Sequence, residues 1–240
     1  MAINKEDIRI VFEDNHLLVA VKPQNVPSQE DESKDPDMLT LLKEYLKEKY
    51  LKEGNVFLGL VHRLDRPTGG VMVFAKTSKA AARLSESIRE GEFEKTYLAV
   101  VDGVPKEKSA KLTHFLQKNE EQNVVRTVPE STVGAKKAEL IYKLLETSQD
   151  KSLSLLSINL LTGRGHQARV QTATIGTPIF GDHRYGKARP GHNLALWAAV
   201  LKFSHPVTKK NMVFIVYPPE ESVPWRLFDL SRYLGINKDI

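Results

Sequence analysis

Cysteine is absent from all 240 residues of the chain. Its absence excludes disulfide bonds, thiolate nucleophiles and cysteine-based zinc sites, and it is typical of a protein kept in a reducing cytoplasm. Long apolar runs are missing as well, so no segment has the composition of a membrane span. Residues 1–7 carry acidic side chains and no apolar segment, which does not resemble a secretion signal. We therefore expect a cytoplasmic protein that does not associate with membranes.

The sequence also lacks the common templates for phosphate, metal and serine chemistry. The turn at residues 163–165 has neither the spacing nor the lysine of a phosphate-binding loop. The 7 histidines are scattered, and none stands four positions from another as in a helical metal site. No Gly-x-Ser-x-Gly elbow occurs. We therefore expect neither a bound metal ion nor a small-molecule cofactor.

Charge and length set broad limits on the class of protein. Lys and Arg together number 35 against 30 Asp and Glu, giving a formal net charge of +5. This excess is compatible with a polyanionic partner but is common among proteins without one. Hydrophobic residues make up 41% of the chain, enough for a sizeable core. Because no internal repeat or long linker is visible, we predict a single domain over residues 1–240.

The order of apolar patterns predicts an α+β fold with a largely antiparallel sheet and a few inserted helices. Many predicted strands are adjacent in sequence, among them a hairpin formed by residues 8–12 and 17–21 and several strands between residues 110 and 161. Helical patterns occur at residues 38–52, 78–91 (with Ser78 as N-cap), 166–175 and 224–234. Polar loops are predicted at residues 29–37 and 181–192.

Residues 62–70, with the sequence HRLDRPTGG, lie between two short apolar runs at residues 57–61 and 71–75. Pro and paired Gly between apolar runs are typical of a strand, a tight loop and a second strand. A loop at the ends of strands is where rigid folds often present functional groups. This loop offers a carboxylate, Asp65, together with two guanidiniums. On composition alone, a solvated turn explains the stretch equally well.

Several stretches together resemble the RluA-type pseudouridine synthases. Residues 62–70 resemble the signature loop of that family, residues 95–99 (KTYLA) its second motif, and residues 161–170 with 176–186 its third. Residues 21–23 and 203–208 are similar to the flanking motifs, so the resemblance runs in the family's order from about residue 8 to residue 217. The sequence departs from the family pattern at Gly69, Ala168, Gln171 and Trp197. We expect the catalytic domain alone, without the S4 RNA-binding domain of some relatives.

The resemblance implies an isomerase that converts uridine in ribosomal or transfer RNA to pseudouridine without cofactor, metal or energy source. It implies that Asp65 is the catalytic carboxylate, acting as nucleophile or as base at the ribose. A positioned carboxylate suits covalent catalysis at a sugar carbon. Arg169 is then the expected ionic partner that keeps this carboxylate charged and oriented. Tyr97 is expected to be the aromatic of the pocket, stacking on uracil or acting as acid or base.

Three further residues are expected to contact the substrate. Arg63 resembles the residue that fills the gap left by a flipped uridine. Leu196 is expected to line the base pocket, although core packing is an equally ordinary role for a leucine. Arg164 is expected to bind RNA. The partner is therefore predicted to be RNA, and we expect the protein to be a monomer.

The same residues are compatible with two alternative functions and with purely structural roles. Without the resemblance, Arg169 is expected to be a surface residue of a helix and Tyr97 a half-buried residue of a strand. A non-catalytic RNA-binding protein of the same fold is one alternative function. An N-glycoside hydrolase is the second, but it needs a second carboxylate, and Asp182 lies in a loop with no sign of pairing. The RNA target and the uridine position are not encoded in any recognisable motif.

Overall fold

The computed structural model describes residues 3–235, which fall into two compact units. Unit 1 is Met1–Glu94 with Val200–Val216, and unit 2 is Lys95–Ala199 with Tyr217–Ile240. The predicted single domain over residues 1–240 stays a prediction, and its ends at residues 1–2 and 236–240 lie outside the described residues.

Strands outnumber helices in both units. In chain order the strands are β1 (Ile10–Glu13), β2 (Leu17–Lys22), β3 (Gly59–Leu60), β4 (Gly69–Ala75), β5 (Glu94–Asp102), β6 (Ser109–Asn119), β7 (Val124–Val128), β8 (Lys136–Thr147), β9 (Leu153–Leu160), β10 (Leu196–Ser204) and β11 (Asn211–Ile215). The helices are α1 (Met38–Lys49), α2 (Ser78–Glu90), α3 (Gln167–Thr174) and α4 (Ser231–Leu234). The strand pairings within each unit are antiparallel, which confirms the predicted α+β class.

Unit 1 is built on strand β4, whose residues are all buried. Strand β2 pairs with it from Leu17 opposite Ala75 to Lys22 opposite Gly70. Strands β1 and β2 form the predicted hairpin, and the Asp14 carboxylate closes its turn by accepting the backbone N–H of Leu17 at 2.7 Å. Short β3 pairs with the end of β4, and β10 forms a hairpin with β11. The loop that carries Asp65 thus lies between β3 and β4.

The helices of unit 1 begin and end at residues whose side chains suit those positions. The Asp37 carboxylate accepts the backbone N–H of Leu39 at 2.9 Å and of Thr40 at 3.1 Å, which caps α1. The predicted cap of α2 was wrong by one residue, because the hydroxyl of Thr77 accepts the N–H of Ala80 at 3.2 Å. Helix α2 ends at Gly91, whose φ of +78° is left-handed.

Unit 2 contains five antiparallel strands in which β5 pairs with β9, β9 with β8, β8 with β6, and β6 with β7. The predicted continuous helix at residues 224–234 was wrong. A single 3-10 turn, Trp225–Leu227, is separated from the one-turn helix α4 by residues 228–230, of which Phe228 has an extended backbone. The Asp229 carboxylate accepts the Ser231 hydroxyl at 2.6 Å, a local bond that competes with helix continuation. No helix in the part of the chain described here is long and apolar enough to cross a membrane.

Glu13 at the end of β1 has an unusually large set of hydrogen-bond donors. Its carboxylate accepts from the Tyr45 hydroxyl at 3.1 Å, the Lys49 ammonium at 2.8 Å, and the Tyr50 hydroxyl and Lys76 ammonium at 2.6 Å each. Burial alone raises the pKa of Glu13, but these donors outweigh it and lower the pKa from 4.5 to about 2. The ionised form of Glu13 is therefore favoured over the protonated form more strongly in the folded state than in the unfolded state.

Glu13→Gln should therefore lower the free energy of unfolding at pH 7 by on the order of 2 kcal/mol. This value is smaller than the full pKa shift implies, because solvent screens the lysine charges. Because the folded pKa is the lower one, the stabilisation is complete above pH 4.5 and is lost as the pH falls towards 2. Urea unfolding of both proteins between pH 7 and pH 3 measures this loss. Exposed Glu32→Gln serves as the control, and a Glu13→Gln deficit that is independent of pH contradicts the assignment.

Candidate active site

The Asp65 loop, defined as residues 62–68, is a tight turn closed by the N–H of Thr68, which donates to the carbonyl oxygen of Asp65 at 2.9 Å. Asp65 is half-buried and Arg63 is exposed. His62 is buried, and its Nε2 accepts the backbone N–H of Val73 in β4 at 3.1 Å. His62 therefore ties the start of the loop to the sheet, which agrees with a structural role for this histidine.

A second segment, residues 22–28, braces the Asp65 loop from the side, and we call it the brace. The hydroxyl of Ser28 donates to the carbonyl oxygen of Leu64 at 2.8 Å and accepts the N–H of Leu64 at 3.1 Å. The Gln24 amide donates to the carbonyl oxygen of Pro67 at 3.3 Å. Both sides of Asp65 are thus held through the backbone, so the carboxylate is presented by a fixed turn.

Lys22 lies at the centre of this brace and is fully buried. Its ammonium donates to the carbonyl oxygens of Pro23 at 3.0 Å, Val26 at 2.6 Å and Arg66 at 2.9 Å. Burial lowers the pKa of Lys22 to about 7, while the negative charge of Asp65 acts in the opposite direction. The Lys22 amino group, surrounded by three carbonyl oxygens, therefore lies inside unit 1 close to the predicted catalytic carboxylate.

Arg66, the second guanidinium of the loop, is held by residues outside it. Its Nε donates to the carbonyl oxygen of Asn25 at 3.1 Å, and its terminal nitrogens bind the Ser33 hydroxyl at 2.9 Å and the carboxylate of Asp35. These contacts are exposed and involve the acidic loop predicted at residues 29–37. The side chain of Arg66 is thus turned towards this loop.

Two predicted pocket residues are buried in unit 2. Tyr97 stands in β5 opposite Ile158 of β9 and is only 6% exposed. Leu196 opens β10 and is also buried. The preceding Ala195 accepts the backbone N–H of Val100 at 3.0 Å, which places the start of β10 beside β5. Tyr97 and Leu196 therefore belong to the same region of the sheet.

The amide of Gln167 organises the turn before α3. Its oxygen accepts from the Thr162 hydroxyl at 2.8 Å and the N–H of Arg164 at 3.0 Å, while its nitrogen donates to the carbonyl of Glu139 at 3.0 Å. The Arg164 side chain is exposed, and its Nε donates to the carbonyl of Lys137 at 3.0 Å. A fixed turn thus presents an exposed guanidinium.

Arg169 and Asp182 form a buried bidentate ion pair in unit 2. Nε donates to Oδ2 at 2.8 Å and Nη2 to Oδ1 at 2.7 Å, with side chains 6% and 0% exposed. The guanidinium also lies 5.1 Å from the ring centre of Tyr185. Two interpretations from the sequence were therefore wrong. Asp182 is paired, and Arg169 is not a surface residue of its helix, because the helix is packed against the segment that carries Asp182.

The charge on Asp182 is maintained against its burial. Desolvation raises the pKa of this carboxyl, but the hydrogen bonds and charge of Arg169, with the backbone N–H groups of Arg184 and Tyr185, outweigh it and lower the pKa. Gly181 makes this placement possible. Its φ is +74°, and a Cβ at this position would lie 2.4 Å from the carbonyl oxygen of Asn193.

The segment before Asp182 connects the ion pair to the strand that carries Tyr97. The N–H of Asp102 donates to the carbonyl of Pro178 at 2.8 Å, and the N–H of Phe180 donates to the carbonyl of Val100 at 2.9 Å. Arg169 is thus fixed relative to β5 through Asp182. Sequence reasoning missed this role of Asp182, although it lies in the GTPIFGDHRYG stretch at residues 176–186 that carries part of the third motif.

The predicted site residues are divided between the units. Arg63 and Asp65 belong to unit 1, whereas Tyr97, Arg164, Arg169 and Leu196 belong to unit 2. Within unit 2 the carboxylate partner of Arg169 is Asp182, and its predicted pairing with Asp65 stays a prediction. Among residues 3–235, no three or more His, Asp or Glu side chains are grouped so that they could hold a metal ion.

The fold is α+β with antiparallel strands. Its loops and helix ends carry charged groups, among them Asp65 in the loop held by the brace and the buried Arg169. Residues 16–174 match the family model described as RNA pseudouridylate synthase. This match covers more than half of the chain, and the chain therefore belongs to the RNA pseudouridylate synthase family. The predicted resemblance is thereby confirmed at the level of the family.

Individual relatives agree with this assignment. The chain is 34% identical over 211 residues to the ribosomal large subunit pseudouridine synthase C of Vibrio vulnificus, covering 85% of this chain and 63% of that protein. It is 31% identical over 226 residues to the ribosomal large subunit pseudouridine synthase D of Zymomonas mobilis, covering 89% and 70%. The chain thus spans only about two thirds of these relatives. The structure of human RNA pseudouridylate synthase domain containing 4 has the same fold, with a TM-score of 0.73, 24% identity and 88% of each chain covered.

Proposed function

We propose that this protein isomerises specific uridines in ribosomal RNA to pseudouridine, with Asp65 as the catalytic carboxylate. The observation that carries the proposal is the braced Asp65 loop in a chain of the RNA pseudouridylate synthase family. The names of the relatives from Vibrio vulnificus and Zymomonas mobilis support the large ribosomal subunit as the source of the substrate. Transfer RNA is the alternative substrate.

The reaction needs no net change in composition. The bond from N1 of uracil to C1′ of the ribose breaks, the base turns within the pocket, and C5 forms a new bond to C1′. The proton lost from C5 is balanced by the proton gained at N1. Asp65 acts either as a nucleophile at C1′ or as a base at the ribose, and both roles require the ionised carboxylate.

The remaining roles follow the same proposal. Tyr97 contacts the uracil, Leu196 lines the pocket, Arg63 takes the place of the flipped uridine, and Arg164 binds the RNA backbone. Arg169 pairs with Asp65. Within unit 2, Arg169 donates from Nε and Nη2 to the two carboxylate oxygens of Asp182, which fixes the orientation of the guanidinium.

The first experiment incubates the protein with in vitro transcribed ribosomal and transfer RNA and quantifies nucleosides and free base by mass spectrometry. Pseudouridine in ribosomal RNA, without free uracil, is the expected result. Pseudouridine only in transfer RNA would overturn the substrate assignment but not the reaction. Free uracil would instead indicate an N-glycoside hydrolase, and RNA binding without either product would indicate a non-catalytic RNA-binding protein.

Pseudouridine mapping of total RNA, from cells with and without this gene, then identifies the modified position. We expect one or a few sites to disappear from large-subunit ribosomal RNA when the gene is deleted. Restoring the gene should restore the same sites, whereas an Asp65→Asn copy should not. An unchanged ribosomal map would contradict the proposed target.

A further inference from the structure

We propose that Arg66 binds a phosphate of the substrate RNA beside Asp65, and that the carboxylates of Asp31 and Asp35 occupy its guanidinium until the RNA replaces them. The inference rests on the proposed function, because it needs an RNA strand at Asp65. It adds a phosphate subsite to the Asp65 loop and a competitor for that subsite in the acidic loop, residues 29–37. The subsite contributes to RNA affinity only after the carboxylates have left.

The backbone around Arg66 is fixed, whereas its side chain points outwards. The N–H of Thr68 donates to the carbonyl oxygen of Asp65 at 2.9 Å, and the Gln24 amide donates to the carbonyl oxygen of Pro67 at 3.3 Å. The side chain of Arg66 is 41% exposed. A change of partner at the guanidinium therefore needs only side-chain rotation and leaves the turn that presents Asp65 in place.

Carboxylate oxygens lie around this guanidinium as phosphate oxygens would. Nη2 of Arg66 donates to Oδ2 of Asp35, and Nη1 lies 3.8 Å from Oδ2 of Asp31. Nη1 also donates to the Ser33 hydroxyl at 2.9 Å. A guanidinium binds carboxylates and phosphates with the same planar fork of donors. The acidic loop thus holds two anions in the place where an RNA phosphate would bind.

A local turn keeps the two carboxylates in this position. Oδ1 of Asp31 accepts the backbone N–H of Ser33 at 3.0 Å and its hydroxyl at 2.6 Å, and the N–H of Asp35 donates to the same hydroxyl at 3.2 Å. The bonds from Ser33 lower the pKa of Asp31, and the bond from Arg66 lowers the pKa of Asp35. Both groups are therefore ionised at neutral pH and compete with phosphate as full charges.

The two ion pairs are exposed, so an RNA strand replaces them at little cost. The side chains of Asp31 and Asp35 are 42% and 51% exposed. Ion pairs at such positions contribute little, because water and salt already screen them. A phosphate that binds the same guanidinium also releases counterions from the RNA. The advantage of RNA over the carboxylates therefore decreases as the salt concentration rises.

Arg66 lies within reach of the phosphates that flank a ribose at Asp65. Its Cα is about 3.8 Å from that of Asp65, across one peptide bond. A nucleotide inside an RNA strand has a phosphate on both sides of its ribose. Phosphate contacts position a strand without reading its bases. We therefore expect Arg66 to affect RNA affinity rather than the chemical step.

The first test is filter binding of in vitro transcribed large-subunit ribosomal RNA to Arg66→Gln, between about 50 and 200 mM salt. Loss of one phosphate contact should weaken affinity by about 3- to 10-fold at low salt and lower the slope of log affinity against log salt by up to roughly 0.9. The single-turnover rate constant at saturating RNA should stay within about threefold of wild type. Lys79→Gln is the control, because Lys79 is exposed in the first turn of α2, beyond the end of β4 that is remote from the Asp65 loop. It should bind RNA as wild type does.

The second test removes the competitor. Asp31→Asn combined with Asp35→Asn removes both charges and keeps a side-chain oxygen for the contacts of the turn. Glu30→Gln combined with Glu32→Gln removes the same charge from exposed residues of the same loop, which are not among the partners of Arg66 described above. We expect the asparagine variant to bind RNA about three- to fivefold more tightly than the glutamine variant, the ratio expected when an exposed ion pair no longer competes.

The third test adds Arg66→Gln to both double variants. The difference in affinity between them should disappear, because the carboxylates then have no guanidinium to occupy, and a double-mutant cycle quantifies this coupling. Equal affinities of the asparagine and glutamine variants with Arg66 present would overturn the competitor, since long-range charge alone would explain them. If Arg66→Gln does not fold in urea unfolding experiments, this comparison of the two double variants still decides.

Wild-type affinity and salt dependence in Arg66→Gln would overturn the phosphate subsite. A lower rate constant in this variant with unchanged affinity would also overturn it and would make Arg66 a positioning residue for Asp65. If the wild-type protein forms no pseudouridine in any RNA, the proposed function fails, and the binding data still decide whether Arg66 binds phosphate. Failure of the two proposals is therefore distinguishable.

Discussion

Replacing Asp65 by Asn should abolish pseudouridine formation, with a loss of rate on the order of a thousandfold or more. The amide is nearly isosteric with the carboxylate but is neither an anionic nucleophile at C1′ nor a base at the ribose. The contacts that hold the loop involve the backbone of Leu64, Arg66 and Pro67, so this substitution leaves them in place. RNA affinity should accordingly change by no more than about twofold.

The measurement is single-turnover formation of pseudouridine, together with a filter-binding titration of the same RNA. Asp150→Asn is the control, because Asp150 is an exposed residue of the hairpin loop between β8 and β9. It should retain the wild-type rate. Substantial activity in Asp65→Asn would contradict the assignment of the catalytic carboxylate, whereas a loss of RNA affinity would mean that Asp65 acts mainly in binding.

Patterns that are local in sequence predicted much of the fold. The hairpin of β1 and β2 follows from two short apolar runs on either side of a turn at Asp14, whose carboxylate accepts the backbone N–H groups of His16 and Leu17. Helix α1 follows from apolar spacing, and Gly91 correctly predicted the end of α2. The tail helix failed because Asp229 and Ser231 bond locally, a competition that apolar periodicity does not report.

The Asp65 loop was identified from its sequence, but the brace that holds it was not. From the sequence, residues 21–23 resembled a flanking motif of the family, but no contact between residues 22–28 and the Asp65 loop was predicted. Their role depends on contacts across long stretches of chain, such as Ser28 with Leu64, which are 36 positions apart. The same applies to Lys22 and Arg66, 44 positions apart. No local period encodes such contacts, since they arise only when β2 pairs with β4.

The Arg169–Asp182 pair was missed for a related reason. The two residues are 13 positions apart, on a helix and in a loop, and Gly181 determines the path of that loop. From the sequence, Asp182 was considered only as a possible second carboxylate for a hydrolase. Its bidentate contact with Arg169 instead makes it the residue that orients a guanidinium. A second carboxylate near the sugar is therefore not supplied by Asp182.

Asp182→Asn should destabilise the protein by about 3–5 kcal/mol, because it leaves the buried guanidinium of Arg169 without its counter-charge. The difference from wild type should shrink in acid. The pKa of Asp182 is lowered in the folded state, so its stabilisation is present above the ordinary value of 3.8 and is lost as the pH falls through the folded value. Urea unfolding at pH 7 and pH 3 measures both effects.

The double variant Arg169→Met with Asp182→Leu separates stability from function. Replacing a buried ion pair by apolar side chains is often neutral for stability, whereas removing one partner is not. Asp182→Leu also removes the acceptor of the Arg184 and Tyr185 N–H groups. We therefore expect the double variant to keep more of the wild-type stability than either single variant, but not all of it, a coupling that a double-mutant cycle quantifies. Because Arg169 is the proposed partner of Asp65, the double variant should still lose pseudouridine formation despite its stable fold. Full activity in this stable protein would show that Arg169 serves the fold alone, and Asp65 would then need another partner.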